Sequence, residues 1–308
     1  MRIVFMGTPE VASVSLERLL SEPEPVVGVV TQPDRPYGRG QQTISSPVRK
    51  VAERRHIPVV APEKIRAPSF LEILKNWAPE LIVVVAYGRI LPREILELAP
   101  HGCLNVHYSL LPKYRGAAPV AWAIMNGEER SGVTTMRLVE KMDAGPIYLQ
   151  REVGLANDET RSSLQAKLAA AGAELLTETI AGMKSGKLTP RVQDESRVSY
   201  APILKKEDGL IDWKLPAAAI ERRVRGLAPW PSAFTYLAGN LLKIHRARVV
   251  PLEQSAAPGE VVKAAKDGLW IATSDGALSL DEVQLENRRK MTAAEFLNGT
   301  RVEKGARL

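Results

Sequence analysis

The chain has 308 residues, of which 45% are hydrophobic and 25% charged, an ordinary globular composition for a chain long enough to form two domains. The net charge of +7 is compatible with a polyanionic partner. No apolar run approaches the roughly 20 residues of a membrane span, the N-terminus lacks the pattern of a signal peptide, and the single cysteine excludes a disulfide framework, so we expect a cytoplasmic protein without membrane contact.

Short apolar runs alternate with helical patterns over the first 150 residues. Residues 2–6 predict a first strand, and Gly7-Thr8-Pro9 predicts a helix start with Thr8 as N-cap and Pro9 at the first helical position. The next predicted strands cover residues 26–31, 57–60, 81–86, 103–107, 132–139 and 147–153. The predicted helices cover residues 9–21, 45–55, 68–77, 92–99, 117–126 and 159–186. This alternation is typical of an α/β fold with a mostly parallel sheet.

The chain lacks the glycine signatures of nucleotide-binding folds. The turn after the first strand reads Gly7-Thr8-Pro9-Glu10 rather than G-x-G-x-x-G, and G-x-x-x-x-G-K-[ST] is absent as well, so neither NAD nor ATP is implied. Residues 32–47 form a long polar loop that contains Gly38-Arg39-Gly40. Loops of this length are unusual in compact domains and are often functional. A disordered surface loop is the alternative interpretation.

The second half begins with a polar, irregular stretch over residues 188–203. It predicts a division into an N-terminal domain, 1–188, a linker, 189–206, and a C-terminal domain, 207–308. In the C-terminal domain one helix, 217–226, precedes short strands at residues 232–237, 241–249, 260–265, 268–273 and 276–284. Short strands with frequent turn signals are typical of a small antiparallel barrel.

The excess of positive charge lies early in the last third of the chain. Residues 201–250 carry 9 Lys and Arg against 4 Asp and Glu, whereas residues 251–308 carry 8 against 9. Such a basic region favours a nucleic-acid partner, and an ordinary solvated surface is the alternative. The candidate RNA-binding residues are Lys205, Lys206, Arg222, Arg225 and Lys243, together with Arg39 of the 32–47 loop.

Asn105 and His107 are the strongest candidates for catalysis. They lie two residues apart at the C-terminal end of a predicted strand, so their side chains point to the same side of the sheet. Open parallel sheets build their sites at that end. An amide can donate to a developing oxyanion and an imidazole can shuttle a proton, which suits acyl transfer. Asp143, after a later strand, is the carboxylate expected to orient the imidazole, although a structural histidine and a turn aspartate are alternatives.

Other nucleophiles and metals fit the sequence less well. Cys103 lies four residues before His107 on the same strand, roughly 13 Å away, and is interpreted as a buried, inert thiol. Ser109 lacks the G-x-S-x-G context of a serine hydrolase. The remaining histidines are scattered and no H-E-x-x-H motif occurs, so we expect no metal site.

The residues around this candidate site resemble a known family. Asn105-Val106-His107, with Ser109-Leu110-Leu111-Pro112 and Arg115-Gly116-Ala117-Ala118-Pro119, is similar to the signature of the 10-formyltetrahydrofolate-dependent formyltransferases. The resemblance extends over nearly the whole chain, through residues 5–10, 31–36, 38–40, 46–48, 86–92, 225–231 and 293–299. The loop before residue 48 and the C-terminal segments resemble family members whose formyl acceptor is methionyl-tRNA.

The resemblance implies a Rossmann-like formyltransferase domain followed by an OB-like β-barrel domain. It implies Asn105, His107 and Asp143 as catalytic residues, 10-formyltetrahydrofolate as co-substrate without a metal, and the α-amine of methionine on initiator tRNA as acceptor. The folate-binding residues that it implies are Ser109, Leu110, Leu111, Pro112, Tyr87, Gly88 and Ile90. The sequence shows neither a coiled-coil pattern nor a long exposed apolar pattern, so we expect a monomer.

Three alternatives stay open at this point. A formyltransferase for a sugar-nucleotide amine would share the catalytic residues, and a formyltetrahydrofolate hydrolase would use water in place of the amine. A non-catalytic RNA-binding protein could retain the same fold. The 32–47 loop and the basic region at 201–250 favour tRNA over a sugar nucleotide, and the Asn-His-Asp set favours an enzyme over a binding protein.

Overall fold

The computed structural model describes residues 1–37, 42–252 and 254–308. Its helices are α1 (Glu10–Leu19), α2 (Pro47–Arg54), α3 (Pro68–Trp77), α4 (Arg93–Leu96), α5 (Pro119–Met125), α6 (Arg161–Lys184), α7 (Ala217–Leu227) and α8 (Ala293–Gly299). Its strands are β1 (Ile3–Gly7), β2 (Val26–Val30), β3 (Arg35–Tyr37), β4 (Gln42–Ile44), β5 (Val59–Val60), β6 (Leu81–Val85), β7 (Cys103–His107), β8 (Arg130–Arg137), β9 (Ile147–Gly154), β10 (Ala233–Leu237), β11 (Asn240–Val250), β12 (Val261–Ala265), β13 (Gly268–Ala272), β14 (Ala277–Leu285) and β15 (Met291–Thr292). Among the described residues, no helix combines the length and apolar character needed to cross a membrane.

The chain divides into two compact units that do not follow sequence order strictly. The first unit comprises Met1–Gly116, Arg130–Gly154 and Gln165–Ala201. The second unit comprises Ala117–Glu129, Leu155–Leu164 and Pro202–Leu308. The stretch that the sequence indicates as a linker is therefore shared, and its residues up to Ala201 belong to the first unit.

The first unit is built on a seven-stranded sheet of order β5-β2-β1-β6-β7-β8-β9. The pairs from β5 to β7 are parallel, and the pairs β7–β8 and β8–β9 are antiparallel. Strands β1 and β6 are apolar along their whole length because both faces of this sheet are covered. The predicted α/β fold with a mostly parallel sheet is confirmed.

One face of this sheet packs against α3 and α4. Alternate residues of β1, β6 and β7 form a buried cluster with apolar residues of the two helices: Val4, Met6, Ile82, Val84, Cys103, Phe70, Leu74 and Ile95. Each fully buried side chain of this size stabilises the fold by about 1.5–3 kcal/mol. The cluster therefore fixes β7, whose C-terminal end carries Asn105 and His107.

The start of α1 differs from the sequence prediction. Pro9 is the N-cap, Glu10 is the first helical residue, and no side chain caps the helix. The Thr8 hydroxyl instead donates to the carbonyl oxygen of Tyr87 (3.4 Å) and accepts from the backbone N–H of Gln32 (3.3 Å). The predicted Thr8 cap is wrong because this hydroxyl joins the segments that follow β1, β2 and β6.

The 32–47 loop contains two short strands, β3 and β4, which pair antiparallel and were not predicted. Its ends are joined by a hydrogen bond between the hydroxyls of Thr31 and Ser46 (2.7 Å) and by an ion pair of Arg49 with Asp34. Gly38-Arg39-Gly40 lies outside the described residues, so the expected role of Arg39 stays a prediction.

The second unit contains an antiparallel sheet of order β10-β11-β14-β13-β12, with β15 paired to β14. Its core includes Ile220 and Val224 of α7 and Phe296 of α8. All five predicted strands are present within one residue at each end, which confirms a separate antiparallel β domain. Neither β15 nor α8 was predicted, although Thr292 and Glu295 form a capping box whose T-x-x-E spacing signals a helix start.

Candidate active site

Strand β7 carries Asn105 and His107 at its C-terminal end. Both residues are almost fully buried, with 9% and 6% of their surface exposed. In the sheet, Asn105 pairs with Val84 of β6 and Met136 of β8, and His107 pairs with Thr134 of β8. Because alternate residues of a strand share a face, the two side chains lie on the same side of the sheet, in the arrangement that the sequence predicts.

The His107 ring lies between a carbonyl group and a carboxylate. Its Nε2 is 2.9 Å from the carbonyl oxygen of Tyr114, and Nε2 is the donor because a carbonyl oxygen only accepts. Its Nδ1 is 3.7 Å from Oδ2 of Asp143. The structure therefore brings the expected carboxylate to His107, at the distance of an ion pair rather than of a hydrogen bond.

Asp143 is oriented by backbone groups. Its Oδ2 accepts a hydrogen bond from the backbone N–H of Gly116 (2.8 Å), and its own φ of 48° lies in the left-handed region that few non-glycine residues adopt. Position 116 requires glycine because its φ is 124° and a Cβ would lie 2.5 Å from the carbonyl oxygen of Ala201. The carboxylate, only 14% exposed, is thus held beside the His107 ring.

Asn105 offers hydrogen-bond donors that no protein group uses. Within the part of the chain that the structure describes, its side-chain amide has no hydrogen-bond partner. The amide is not fully enclosed, because its polar atoms are not among the buried atoms that lack a partner, so a ligand or water can reach it. A ligand oxygen placed beside the imidazole and the carboxylate would satisfy it.

The segment after β7 is fixed by neutral hydrogen bonds. The Thr134 hydroxyl donates to the carbonyl oxygen of Ser109 (2.6 Å) and accepts from the backbone N–H of Leu111 (3.1 Å). Nε2 of Gln150 donates to the carbonyl oxygen of Leu111 (2.8 Å). The Ser109 hydroxyl donates to the carbonyl oxygen of Lys113 (2.7 Å), so it is engaged within its own turn. The remaining residues of this segment are half-buried: Leu110 and Pro112.

The loop after β6 begins at the same edge of the sheet, because β6 and β7 are adjacent and parallel. Tyr87 is 1% exposed, and its hydroxyl is buried without a hydrogen-bond partner among the described residues. Burial raises the pKa of Tyr87, so the hydroxyl remains a donor. Gly88 adopts a φ of 80°, and Ile90 is exposed. This edge therefore presents an unpaired amide and an exposed apolar side chain, whereas the Tyr87 hydroxyl is enclosed in the core.

Cys103 is unsuited to nucleophilic chemistry. It is buried in the core cluster, and its Sγ lies 3.6 Å from the carbonyl oxygen of Ile95. Burial raises the pKa of the Cys103 thiol to about 12, so almost none of it is thiolate at neutral pH. This agrees with the interpretation of an inert thiol.

A polar network that borders the site was not predicted. Arg115 is 1% exposed, donates to Oε1 of Gln193 (3.1 and 2.8 Å) and pairs with Glu195 (2.7 Å). Gln193 and Glu195 come from the irregular stretch that indicated a linker, which carries no periodic signal. The only available signal was a charged residue, Arg115, inside an otherwise apolar and small-residue motif.

The candidate RNA-binding residues differ in their surroundings. Lys205 and Lys206 are exposed, whereas Arg222 and Lys243 are half-buried. Arg225 donates to both carboxylate oxygens of Glu221 (2.6 and 2.9 Å) and to the carbonyl oxygen of Glu159 (2.6 Å). The guanidinium of Arg225 is therefore engaged within the second unit, whereas the exposed lysines present their charge to solvent.

Two family models match the chain in succession. Residues 1–180 match the formyl transferase family, and residues 203–301 match the formyl transferase C-terminal domain. A methionyl-tRNA formyltransferase of Citrifermentans bemidjiense is 47% identical over 308 residues, which cover 100% of this chain and 96% of that protein. A methionyl-tRNA formyltransferase of Desulfotalea psychrophila is 49% identical over 302 residues, which cover 98% of this chain and 94% of that protein.

A solved structure with the same fold is that of HypX from Aquifex aeolicus in complex with tetrahydrofolic acid. The TM-score is 0.64 at 22% identity, and the match covers 96% of this chain and 47% of HypX, so the chain spans about half the length of that protein. At this identity the likeness concerns the fold alone. The two curated relatives are 47% and 49% identical to this chain over nearly its full length. The chain therefore belongs to the formyltransferase family, in the group of methionyl-tRNA formyltransferases.

Proposed function

We propose that this chain transfers the formyl group of 10-formyltetrahydrofolate to the α-amino group of methionine on initiator tRNA. The observation that carries the proposal is the meeting of an unpaired amide, an imidazole and a carboxylate at one strand end: Asn105, His107 and Asp143. The curated methionyl-tRNA formyltransferases with 47–49% identity support tRNA as the acceptor.

The groups at this edge of the sheet fit a folate. The Asn105 amide, unpaired among the described residues, offers hydrogen bonds to a polar heterocycle, whereas the Tyr87 hydroxyl is fully buried, so the proposed folate contact of Tyr87 does not rest on that group. Ile90 offers apolar contact. Residues 109–112 would line one side of the folate site, and hydrogen bonds from the Thr134 side chain fix their position. When bound there, 10-formyltetrahydrofolate supplies the formyl group.

The residues of the chain then orient the reaction and move protons. A free α-amine has a pKa of about 8, so much of the methionyl amine can lose its proton near neutral pH and act as nucleophile. Asn105 donates from its amide to the formyl oxygen, where negative charge develops. His107 holds a proton on Nε2 against the carbonyl of Tyr114. A second proton on Nδ1 would face Asp143, and the charged ring would stabilise the same oxygen.

Asp143 has a second task in this scheme, which is to accept the proton that the amine releases, directly or through one water molecule. Its carboxylate is fixed by the Gly116 N–H and lies beside Nδ1 of His107, so the proton can be shared with the ring. As the amine nitrogen bonds to the formyl carbon, the bond from that carbon to N10 of the folate breaks. The proton taken from the amine is passed to N10, so that tetrahydrofolate leaves as the neutral amine. No covalent intermediate with the protein is required.

The proposed C-terminal domain, 207–308, and the lysines at the end of the linker would bind the tRNA. Lys205 and Lys206 are exposed, and residues 201–250 carry the excess of positive charge. OB-like domains commonly bind nucleic acids, which is an argument from fold analogy. Phosphate contacts predict an affinity that falls steeply with salt, so a KM for tRNA that does not depend on salt would count against this assignment.

A formylation assay with the purified full-length chain tests the proposed function. With 10-formyltetrahydrofolate we expect faster formylation of initiator methionyl-tRNA than of elongator methionyl-tRNA, and no loss of the formyl group when tRNA is omitted. Release of formate without any acceptor would indicate a hydrolase instead. Transfer to a sugar-nucleotide amine, with none to tRNA, would overturn the proposed acceptor.

A further inference from the structure

A buried hydrogen-bond network connects Asp143 with residues 191–201. Gln193 is 5% exposed and uses its whole amide. Its Oε1 accepts from Nε and Nη2 of Arg115 (3.1 and 2.8 Å), and its Nε2 donates to the backbone carbonyls of Asp143 (2.8 Å) and Gly145 (2.7 Å). The reversed amide would set its oxygen against two carbonyl oxygens and its NH2 group against a guanidinium, so one orientation is strongly preferred.

Arg115 lies at the centre of this network. Its guanidinium also donates to Glu195 (2.7 Å). Its backbone N–H donates to the carbonyl oxygen of Ser199 (2.9 Å), and its carbonyl oxygen accepts from the backbone N–H of Ala201 (2.8 Å). Both the side chain and the backbone of Arg115 are therefore fixed by residues that follow α6.

The two sequence neighbours of Arg115 contact the proposed catalytic groups. The carbonyl oxygen of Tyr114 accepts from Nε2 of His107, and the N–H of Gly116 donates to Oδ2 of Asp143. A displacement of Arg115 would thus move the partners of His107 and Asp143 together. Gln193 joins this segment to the Asp143 turn from the other side.

We propose that Gln193 is a positioning residue that sets the distance between Asp143 and His107. This inference rests on the proposed catalytic role of Asp143. The gap between Nδ1 and Oδ2 is 3.7 Å, near the outer limit of an ion pair, so a small shift of the Asp143 turn would break the interaction. A misplacement of about 1 Å in such groups can cost about 10²-fold in rate.

The substitution Gln193→Glu isolates this role. It keeps an acceptor for Arg115, but it sets a carboxylate oxygen against the carbonyls of Asp143 and Gly145. We expect a folded protein whose kcat falls about 100-fold, while KM for both substrates changes less than about threefold, as for an interaction that acts on the reaction step. Gln193→Asn retains a shorter amide, and its kcat should fall about tenfold.

A matched control and a second background complete the experiment. Gln165→Glu, at a half-buried position on α6, makes the same change of charge and should keep the parental kcat. Gln193→Glu is also tested in the Asp143→Asn protein, where single-turnover measurements allow the rate of a slow variant to be determined. There Gln193→Glu should cost less than about threefold more, because the residue that it positions is already impaired.

The outcomes are distinguishable. A parental kcat in folded Gln193→Glu and Gln193→Asn would overturn the positioning role. So would a loss from Gln193→Glu that is as large in the Asp143→Asn background as in the parent. A parental rate for Asp143→Asn alone would instead overturn the proposed function of Asp143.

Discussion

The two units of the chain use charge in different ways. In the first unit the ionisable groups at the site are enclosed: His107 faces Asp143, and Arg115 is almost completely buried. In the second unit Lys205 and Lys206 are exposed to solvent. Enclosed, oriented groups act on charge that develops during a reaction, whereas exposed cations provide attraction that salt screens. We therefore expect substitutions in the first unit to change kcat, and substitutions of the exposed lysines to change the affinity for tRNA.

The largest effect is expected for the groups proposed to contact the formyl oxygen. Asn105→Ala or His107→Ala should lower kcat by about 10² or more, because each removes stabilisation of the developing charge. Steady-state formylation of methionyl-tRNA measures this. His245→Ala is the matched control, since this half-buried histidine of β11 pairs with Gln284 in the second unit and should leave kcat unchanged. Near-normal turnover in either first-unit variant would reject the assignment.

A smaller effect, on KM, is expected from the hydrogen bonds by which Thr134 fixes the segment after β7. Thr134→Val keeps the shape of the side chain but leaves the carbonyl of Ser109 and the N–H of Leu111 without their partner. The KM for the folate should rise about tenfold, and the free energy of unfolding should fall by about 1–3 kcal/mol. Thr179→Val removes another buried hydroxyl, which bonds to Thr135. It should lower stability alone, and a similar rise in KM for both variants would show that Thr134 has no specific role.

Two basic residues of the second unit should separate binding from stability. Lys206→Ala should raise KM for tRNA a few-fold and reduce the slope of log KM against log salt by about 0.7–0.9 if the lysine makes one phosphate contact. Arg225→Ala should instead lower the free energy of unfolding by about 1–3 kcal/mol, because Glu221 and the carbonyl of Glu159 lose their partner. An unchanged salt slope for Lys206→Ala, with Lys64→Ala of the first unit as reference, would remove Lys206 from the RNA contact.

The smallest effect concerns the exposed end of the Arg115 network. Hydrogen bonds from Arg115 and then Lys141 lower the pKa of Glu195 from 4.5 to about 2. Since the folded-state pKa lies below the unfolded one, the contribution of Glu195 to stability is present above pH 4.5 and is lost as pH falls towards 2. Glu195→Gln should flatten the pH dependence of the free energy of unfolding in this window, and only slightly, because the side chain is exposed to solvent. Urea unfolding at pH 5 and pH 3 tests this, and equal differences in both proteins would contradict it.

The residues proposed for catalysis were predictable because two of them occupy a regular element. The apolar run that predicts β7 also fixes the alternation of its side chains, so Asn105 and His107 had to share a face. Most strands of both units followed from the same short-range patterns, but β3, β4 and β15 did not. Asp143 was identified as a candidate, but its approach to His107 depends on a turn whose left-handed backbone no periodicity reveals.

The remainder of the site depends on contacts that are distant in sequence. Gln193 lies 78 residues from Arg115 and 50 from Asp143, in a stretch whose composition is typical of a linker. Thr8 illustrates the converse, since its local sequence favours an N-cap but its hydroxyl bonds to Tyr87 across the sheet edge. Long-range hydrogen bonds of this kind override local propensity, and they cannot be predicted from local sequence patterns.

The central claim is that His107 and Asp143 act as one unit, and a double-mutant comparison measures it most directly. Single-turnover formyl transfer would be followed for His107→Ala, for Asp143→Asn and for the protein with both changes. We expect the double variant to be about as slow as the slower single variant, because both changes disable the same imidazole–carboxylate pair. A loss in the double variant equal to the product of the two single losses would show that the residues act independently, and would contradict the claim.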